Sequence, residues 1–95
     1  MKSIHIITIT DGNLISLKRT LISIDKQKYK NYKNIIISKK RINNLENKFK
    51  KKQRQFIYEK DCSIYEAMNH GLKKSKNNPV IFLNSGDVFF KNSSL

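Results

Sequence analysis

The sequence predicts an α/β fold with a mostly parallel sheet of about four strands and two main helices. Three observations carry that prediction. Four short apolar runs, "IHIITI", "NIIIS", "QFIY" and "VIFL", are rich in β-branched or aromatic residues. The Ile-rich ones lack the apolar–polar alternation of a half-exposed strand, as expected where both faces are covered. Two segments between them repeat apolar residues at helical spacing, so the order is β-α-β-(basic segment)-β-α-β.

Residues 4–9 open the chain as a first strand. The preceding "MKS" faintly resembles a secretion leader, but the apolar stretch is β-branched, contains His5 and has no small-residue cleavage pattern after it. "TDGN" is a turn with Asn13 as a candidate helix N-cap. Leu14, Leu17, Leu21 and Ile24 then form one helix face, with Lys18, Arg19 and Lys26 off it. "QKYKNYK" reads as a polar loop and "NIIIS" as the second strand. Residues 39–54 form a Lys/Asn-rich basic insert, loop plus a frayed helix around Leu45 and Phe49. After "QFIY", Ser63 is a candidate cap for a second main helix whose face carries Ile64, Ala67, Met68 and Leu72. Gly71 and "NNP" are read as its end, and "VIFL" as the last strand.

Ninety-five residues allow one small domain, residues 1–95, with a modest core. No apolar run approaches the roughly 20 residues of a membrane span. The single Cys62 excludes an internal disulfide and a Cys-based metal cage, and a reducing, cytoplasmic setting is expected. Net charge is +13, and residues 26–58 hold twelve Lys or Arg against one acid, Glu46, so +11 lies in that third. Such a block suits phosphate, nucleic acid or an anionic membrane face. It is also what a Lys-rich solvated surface looks like, since only 3 of the 20 basic residues are Arg.

In a parallel sheet, ligands bind beyond the carboxyl ends of the strands. Thr10-Asp11, Ser38-Lys39 and Asn84-Ser85-Gly86-Asp87 are the polar groups at those ends. A lone carboxylate on a Gly-bearing loop, Asp87, can hold Mg²⁺ or Mn²⁺ when phosphate oxygens and water fill the shell. The same four loop residues are ordinary turn formers, and spacing alone leaves both readings standing. Glu59 and Asp61 precede the helix near its positive end, a favourable placement with or without a ligand. Asn69 is a poor helix former in mid-helix, facing either solvent or a ligand. His5 and His70 have no partner at ligand spacing, and Cys62 has no base beside it; all three are read as non-catalytic.

The run "EKDCSIYEAMNHGLKKSKNNPVIFLNSGDVFF" resembles the central motif of family 2 glycosyltransferases of the GT-A fold, in the bacterial branch that builds lipopolysaccharide and capsule. Those read E-x-D-x-G-I-Y-D-A-M-N-x-G, then a strand ending F-L-N-S-G/D-D. Glu59, Asp61, Ile64, Tyr65, Ala67, Met68, Asn69 and Gly71 are in register, followed by Phe82 to Asp87. The opening strand, helix and second strand are also similar, including Gln27, Tyr29, Asn31 and Tyr32. The resemblance implies a partial GT-A, Rossmann-like three-layer fold and a hexosyltransferase-like activity. A sugar would pass from a nucleoside diphosphate sugar, a UDP-sugar by expectation, to a glycan or lipid-linked acceptor. It places Thr10, Asp11, Asp61, Asn69, Asn84 and Ser85 at the nucleotide sugar and Asp87 at a divalent cation, Mg²⁺ or Mn²⁺.

Three departures stand out. Ser38, Lys39 and Lys40 replace the family's acidic residue after the second strand, and a lysine there offers phosphate a counter-charge. Asp11 replaces a common Tyr, and Ser63 the first Gly of the helix motif. Relatives continue at least as long again past the position of Leu95, carrying the acceptor site and the catalytic base. The expectation is therefore a donor-binding half, truncated or split, with no catalytic residue of its own and a partner chain supplying the rest. It would sit in the cytoplasm or at the inner face of the membrane, touching anionic lipid through residues 39–54. The alternatives are a small basic nucleic-acid-binding protein and a non-catalytic remnant.

Overall fold

The computed structural model describes residues 3–60 and 62–89. The chain runs β1 (Ile4–Thr10), α1 (Leu14–Asp25), β2 (Tyr32–Ser38), α2 (Asn43–Lys48), β3 (Arg54–Tyr58), α3 (Ile64–Lys74) and β4 (Val80–Phe82). The four strands form one all-parallel sheet in the order β3-β2-β1-β4. The α/β class and the strand count are as the sequence predicts, and the arrangement is compatible with part of a Rossmann-like fold.

The Ile-rich runs become strands because both sheet faces are covered. One face packs Ile6, Ile36 and Leu83 against Leu17, Leu21 and Ile24 of α1, with Ile42 and Leu45 closing the side. The other packs Ile7, Ile9, Ile35 and Ile37 against Ala67 of α3 and Cys62. Leu17, Leu21 and Ile24 are fully buried, each worth about 1.5–3 kcal/mol relative to exposure. Leu14, expected on that face, is half-exposed in the first turn of α1, just past the carboxyl end of β1.

Both main helices start where a side chain caps them. Asn13 accepts the Ser16 N–H at 3.1 Å. Ser63 accepts the Glu66 N–H while the Glu66 carboxylate accepts the Ser63 N–H, a capping box. The frayed helix expected in the basic insert is α2, a short helix without a side-chain cap, held by buried Leu45.

Helix α3 differs from its sequence reading. Its buried residues are Ala67 and Gly71, whereas Ile64 and Leu72 are 57% and 45% exposed. Gly71 does not end the helix; it faces Ile7, where a Cβ would lie 2.8 Å from two Ile7 side-chain carbons. Two small residues four apart let the helix settle close on β1, and Leu72 then lies roughly 100° round from that contact.

A polar network ties the strand starts. Arg54 reaches Asp25 at the end of α1 at 2.8 Å and donates to Asn34 Oδ1 at 2.9 Å. Asn34 in turn donates to the Ile6 carbonyl at 2.9 Å. The Arg54 side chain is fully buried, and Lys51 also meets Asp25, at 3.3 Å.

Candidate functional site

A strand order that runs outward from β1 to β2 and β3, then returns past β1 to β4, reverses direction between β1 and β4. At such a reversal the connecting loops diverge and leave a crevice beyond the strand ends. Here it is a pocket of about 280 Å³ whose walls include Thr10, Asp11, Asn13, Lys39, Asn84 and Ser85. Four of the residues singled out from sequence, Thr10, Asp11, Asn84 and Ser85, are thus brought together from chain positions more than seventy residues apart.

Each wall is set by local chemistry. Thr10 Oγ1 accepts the Gly12 N–H at 3.1 Å, Asp11 Oδ1 accepts the Asn13 N–H at 3.0 Å, and Asn13 caps α1. The turn out of β1 is held by three successive side-chain oxygens. Opposite, the Leu83 and Ser85 N–H groups bond the Ile7 and Ile9 carbonyls, each at 3.0 Å, so the β1 pairing runs past β4 into the loop. The Ser85 hydroxyl oxygen is buried and has no hydrogen-bond partner among the described residues. A polar atom left so costs about 1–3 kcal/mol unless something meets it.

The loop 84–87 is a tight turn. The Asp87 N–H bonds the Asn84 carbonyl at 2.8 Å, and Asp87 Oδ2 accepts the Asn84 N–H at 3.1 Å. Gly86 sits at φ +100°, which glycine adopts without strain. Thr20 of α1 anchors the turn, donating to the Asp87 carbonyl at 2.7 Å and accepting the Gly86 N–H at 3.0 Å. Ser23 accepts the Phe89 N–H at 3.2 Å. Sequence reading did not single out Thr20, although its place three residues after Leu17 and four before Ile24 puts a hydroxyl on a buried stripe. A hydroxyl there requires a partner.

A second, shallower depression of about 890 Å³ adjoins the first, and Asp11 and Lys39 border both. Its walls bring Lys40, Arg41, Tyr58 and Lys60 to the N-terminal end of α3. The Arg41 guanidinium lies 4.5 Å from the Tyr58 ring centroid. Of these residues, Asp11, Lys39 and Lys40 stood out in the sequence.

Asn69 is exposed on α3 and Asp87 is exposed on its turn, and neither borders either depression. Asp61 lies outside the described residues. Among the described residues, no three His, Cys, Asp or Glu side chains group as a metal cluster. The donors near the loop are the Asp87 carboxylate, with one oxygen on a backbone N–H, and the Asn84 amide. That set suits a cation whose shell is completed by ligand phosphate and water.

His5 is buried, and its pKa is held below the ordinary value by desolvation first and by Lys33 second. His70 pairs with Glu59. Glu66 is held below the usual carboxylate range by the backbone and side-chain hydrogen bonds of Ser63. None of the three borders the pocket at the strand reversal. Among the described residues, no helix is long and apolar enough to cross a membrane.

No family model matches the chain, and no curated protein matches it.

Proposed function

We propose that the chain is the donor-binding part of a glycosyltransferase, holding a nucleoside diphosphate sugar whose sugar passes to a glycan or lipid-linked acceptor of a cell-surface polysaccharide. The observation that carries this reading is the convergence of Thr10, Asp11, Asn84 and Ser85 on one pocket at the reversal of strand order. These are residues that the glycosyltransferase resemblance assigns to the donor. The adjoining depression supplies length for a nucleotide, and at about 890 Å³ it lies in the range of ordinary ligand sites.

In this reading, Asn84 and the Ser85 hydroxyl offer hydrogen bonds to the ligand's hydroxyl groups. Thr10 and Asp11 shape the wall through their turn. Asp87 and Asn84 are the residues that would hold Mg²⁺ or Mn²⁺. Such a cation, when bound, neutralises charge on the departing diphosphate. The rest of the transferase, including the acceptor site and a general base, would come from further sequence or a partner chain.

The nucleic-acid reading loses support at two points. Phe49 and Phe56, the aromatics beside the Lys run, are partly buried against the core, which leaves them little base-stacking surface. Arg54 and Lys51 of the basic block are paired with Asp25.

Titration calorimetry with UDP-, GDP-, CDP- and dTDP-sugars in Mn²⁺ tests the proposal. One nucleotide series should bind, and Ser85→Trp, which fills the pocket, should abolish it. Absence of binding by every series, or equal binding by Ser85→Trp, would overturn the assignment. Comparison with Asp87→Ala tests the cation: a metal-dependent affinity equal to wild type removes Asp87 from that role.

A further inference from the structure

The cleft beside the pocket gathers cations that form no ion pair among the described residues. Lys39, Lys40, Arg41 and Lys60 border it, against two carboxylates, Asp11 and Glu66. Each of those carboxylates already accepts a backbone N–H, from Asn13 and from Ser63. Elsewhere the basic block is partly spent on structure. Lys51 and Arg54 meet the Asp25 carboxylate, and Lys30 donates to the Asp25 carbonyl.

Two of the four cations are held by their surroundings. Ser38 Oγ donates to the Lys40 carbonyl and accepts the Lys40 N–H at 3.2 Å, which fixes the turn after β2. The Lys40 stem lies against Gly12, at φ +104°, where a Cβ would come within 2.9 Å of Lys40 Cδ. Arg41 lies against the Tyr58 ring. Side chains ordered in advance lose less entropy when an anion arrives.

We propose that Lys39, Lys40, Arg41 and Lys60 form a phosphate-anion site that binds a diphosphate without a divalent cation. The inference rests on the nucleotide-sugar reading above and gives the diphosphate's counter-charge to these side chains in place of a cation at Asp87. Lysine supplies point charge to phosphate, and arginine a two-pronged donor. The positive end of α3 adds to the field. Lys39 borders both depressions, so a single molecule can place its diphosphate in the cleft and its sugar in the pocket. Asp87 borders neither, so the four cations are the counter-charge that the cleft itself presents to a diphosphate.

The test uses the full chain, inorganic pyrophosphate and UDP-sugars, with EDTA or Mn²⁺. Pyrophosphate should bind in EDTA. The pair Lys39→Ala/Lys40→Ala should weaken it about tenfold or more, as loss of two charge-assisted contacts implies. Lys50→Ala/Lys52→Ala removes the same charge from exposed residues outside the cleft and should leave binding nearly unchanged. Should the first pair melt early, Arg41→Gln, on an exposed residue, gives the same test at one position. Pyrophosphate binding that needs Mn²⁺ and is lost in Asp87→Asn overturns the proposal, as does equal weakening by the two lysine pairs. UDP-sugar binding that occurs only with Mn²⁺ sinks this inference and leaves the nucleotide-sugar reading intact. Pyrophosphate bound in EDTA, with no nucleotide sugar bound more tightly, upholds the anion site and sinks that reading.

Discussion

The Thr20 hydroxyl donates to the Asp87 carbonyl at 2.7 Å, joining the middle of α1 to a loop 67 residues later. The same oxygen accepts the Gly86 N–H. One buried side chain thus sets the loop that carries Asn84 and Ser85. Thr20→Val keeps the shape and removes both bonds. It should cost about 2 kcal/mol in urea unfolding, because two backbone groups lose their partner. Amide exchange at Gly86 should quicken, while Thr20→Ser should keep most of the protection. A Val variant as stable as wild type would refute the anchoring role.

Gly71 decides how closely α3 approaches the sheet. Alanine usually stabilises a helix interior by about 1 kcal/mol over glycine. Here its Cβ would meet Ile7 at 2.8 Å, so overpacking wins. Gly71→Ala should lose about 2 kcal/mol net. Leu72→Ala, on the neighbouring half-exposed position, should change stability by less than about 1 kcal/mol. The reverse ranking by thermal melting would show that the helix can shift outward freely.

Arg54 is fully buried at its side chain and holds Asp25 and Asn34 together. Arg54→Ala leaves Asn34 Oδ1 without its donor and Asp25 with Lys51 alone, and should cost about 3 kcal/mol. The double variant with Asp25→Ala should cost less than the sum of the single changes, since each single change already loses the Arg54–Asp25 pair. Strict additivity in denaturant titrations would mean that the network contributes nothing as a unit.

Stability should fall on mild acidification because of His5. Its folded pKa lies below the unfolded value of about 6.5, so the folded state favours neutral imidazole. The stabilisation from a neutral His5 is complete above that value. It declines as pH drops below it, as protons bind the unfolded chain first. Groups facing His5 include Lys33 and Val80, its register partners on either side. His5→Val should flatten the profile of melting temperature against pH in this window; an unchanged slope would exclude His5 as its source.

The capping box gives a second, lower window. Glu66, held below the usual carboxylate range, contributes stability above its unfolded pKa and loses it as pH falls through the folded one. Ser63→Ala should cost about 1 kcal/mol, while Glu66→Gln, which removes the titrating group that the Ser63 backbone N–H holds, should erase that dependence. Retention of the full acid slope in Glu66→Gln would place its origin elsewhere.

Much of the local structure is legible in the residues. Asn13 and Ser63 cap their helices as their side-chain chemistry requires, and the Ile-rich runs are strands covered on both faces. The reading went astray where packing chose between faces: Ile64 and Leu72 fit the helical period, yet Ala67 and Gly71 take the contact because small residues permit the closest approach. At the site, Thr10, Asp11, Asn84 and Ser85 were identifiable as strand-end polar residues, and they share a pocket. Asn69 and Asp87, chosen with them, border neither depression. Thr20, Arg41, Tyr58 and Lys60 were not singled out, since each matters through a partner distant in sequence or across a turn.

What the sequence determined by itself is therefore the set of elements and the starts of the two main helices. Hydrogen bonds to caps and apolar periodicity act within a few residues and need no knowledge of the rest of the chain. Tertiary structure decided which ends meet. The order β3-β2-β1-β4 set Ser85 beside Ile9, Lys40 against Gly12 and Arg54 on Asp25. It also divided the basic block into lysines and arginines that hold the fold and those that face a cleft. That division depends on close packing between distant segments, because a charge is neutralised only by what lies within a few ångströms of it.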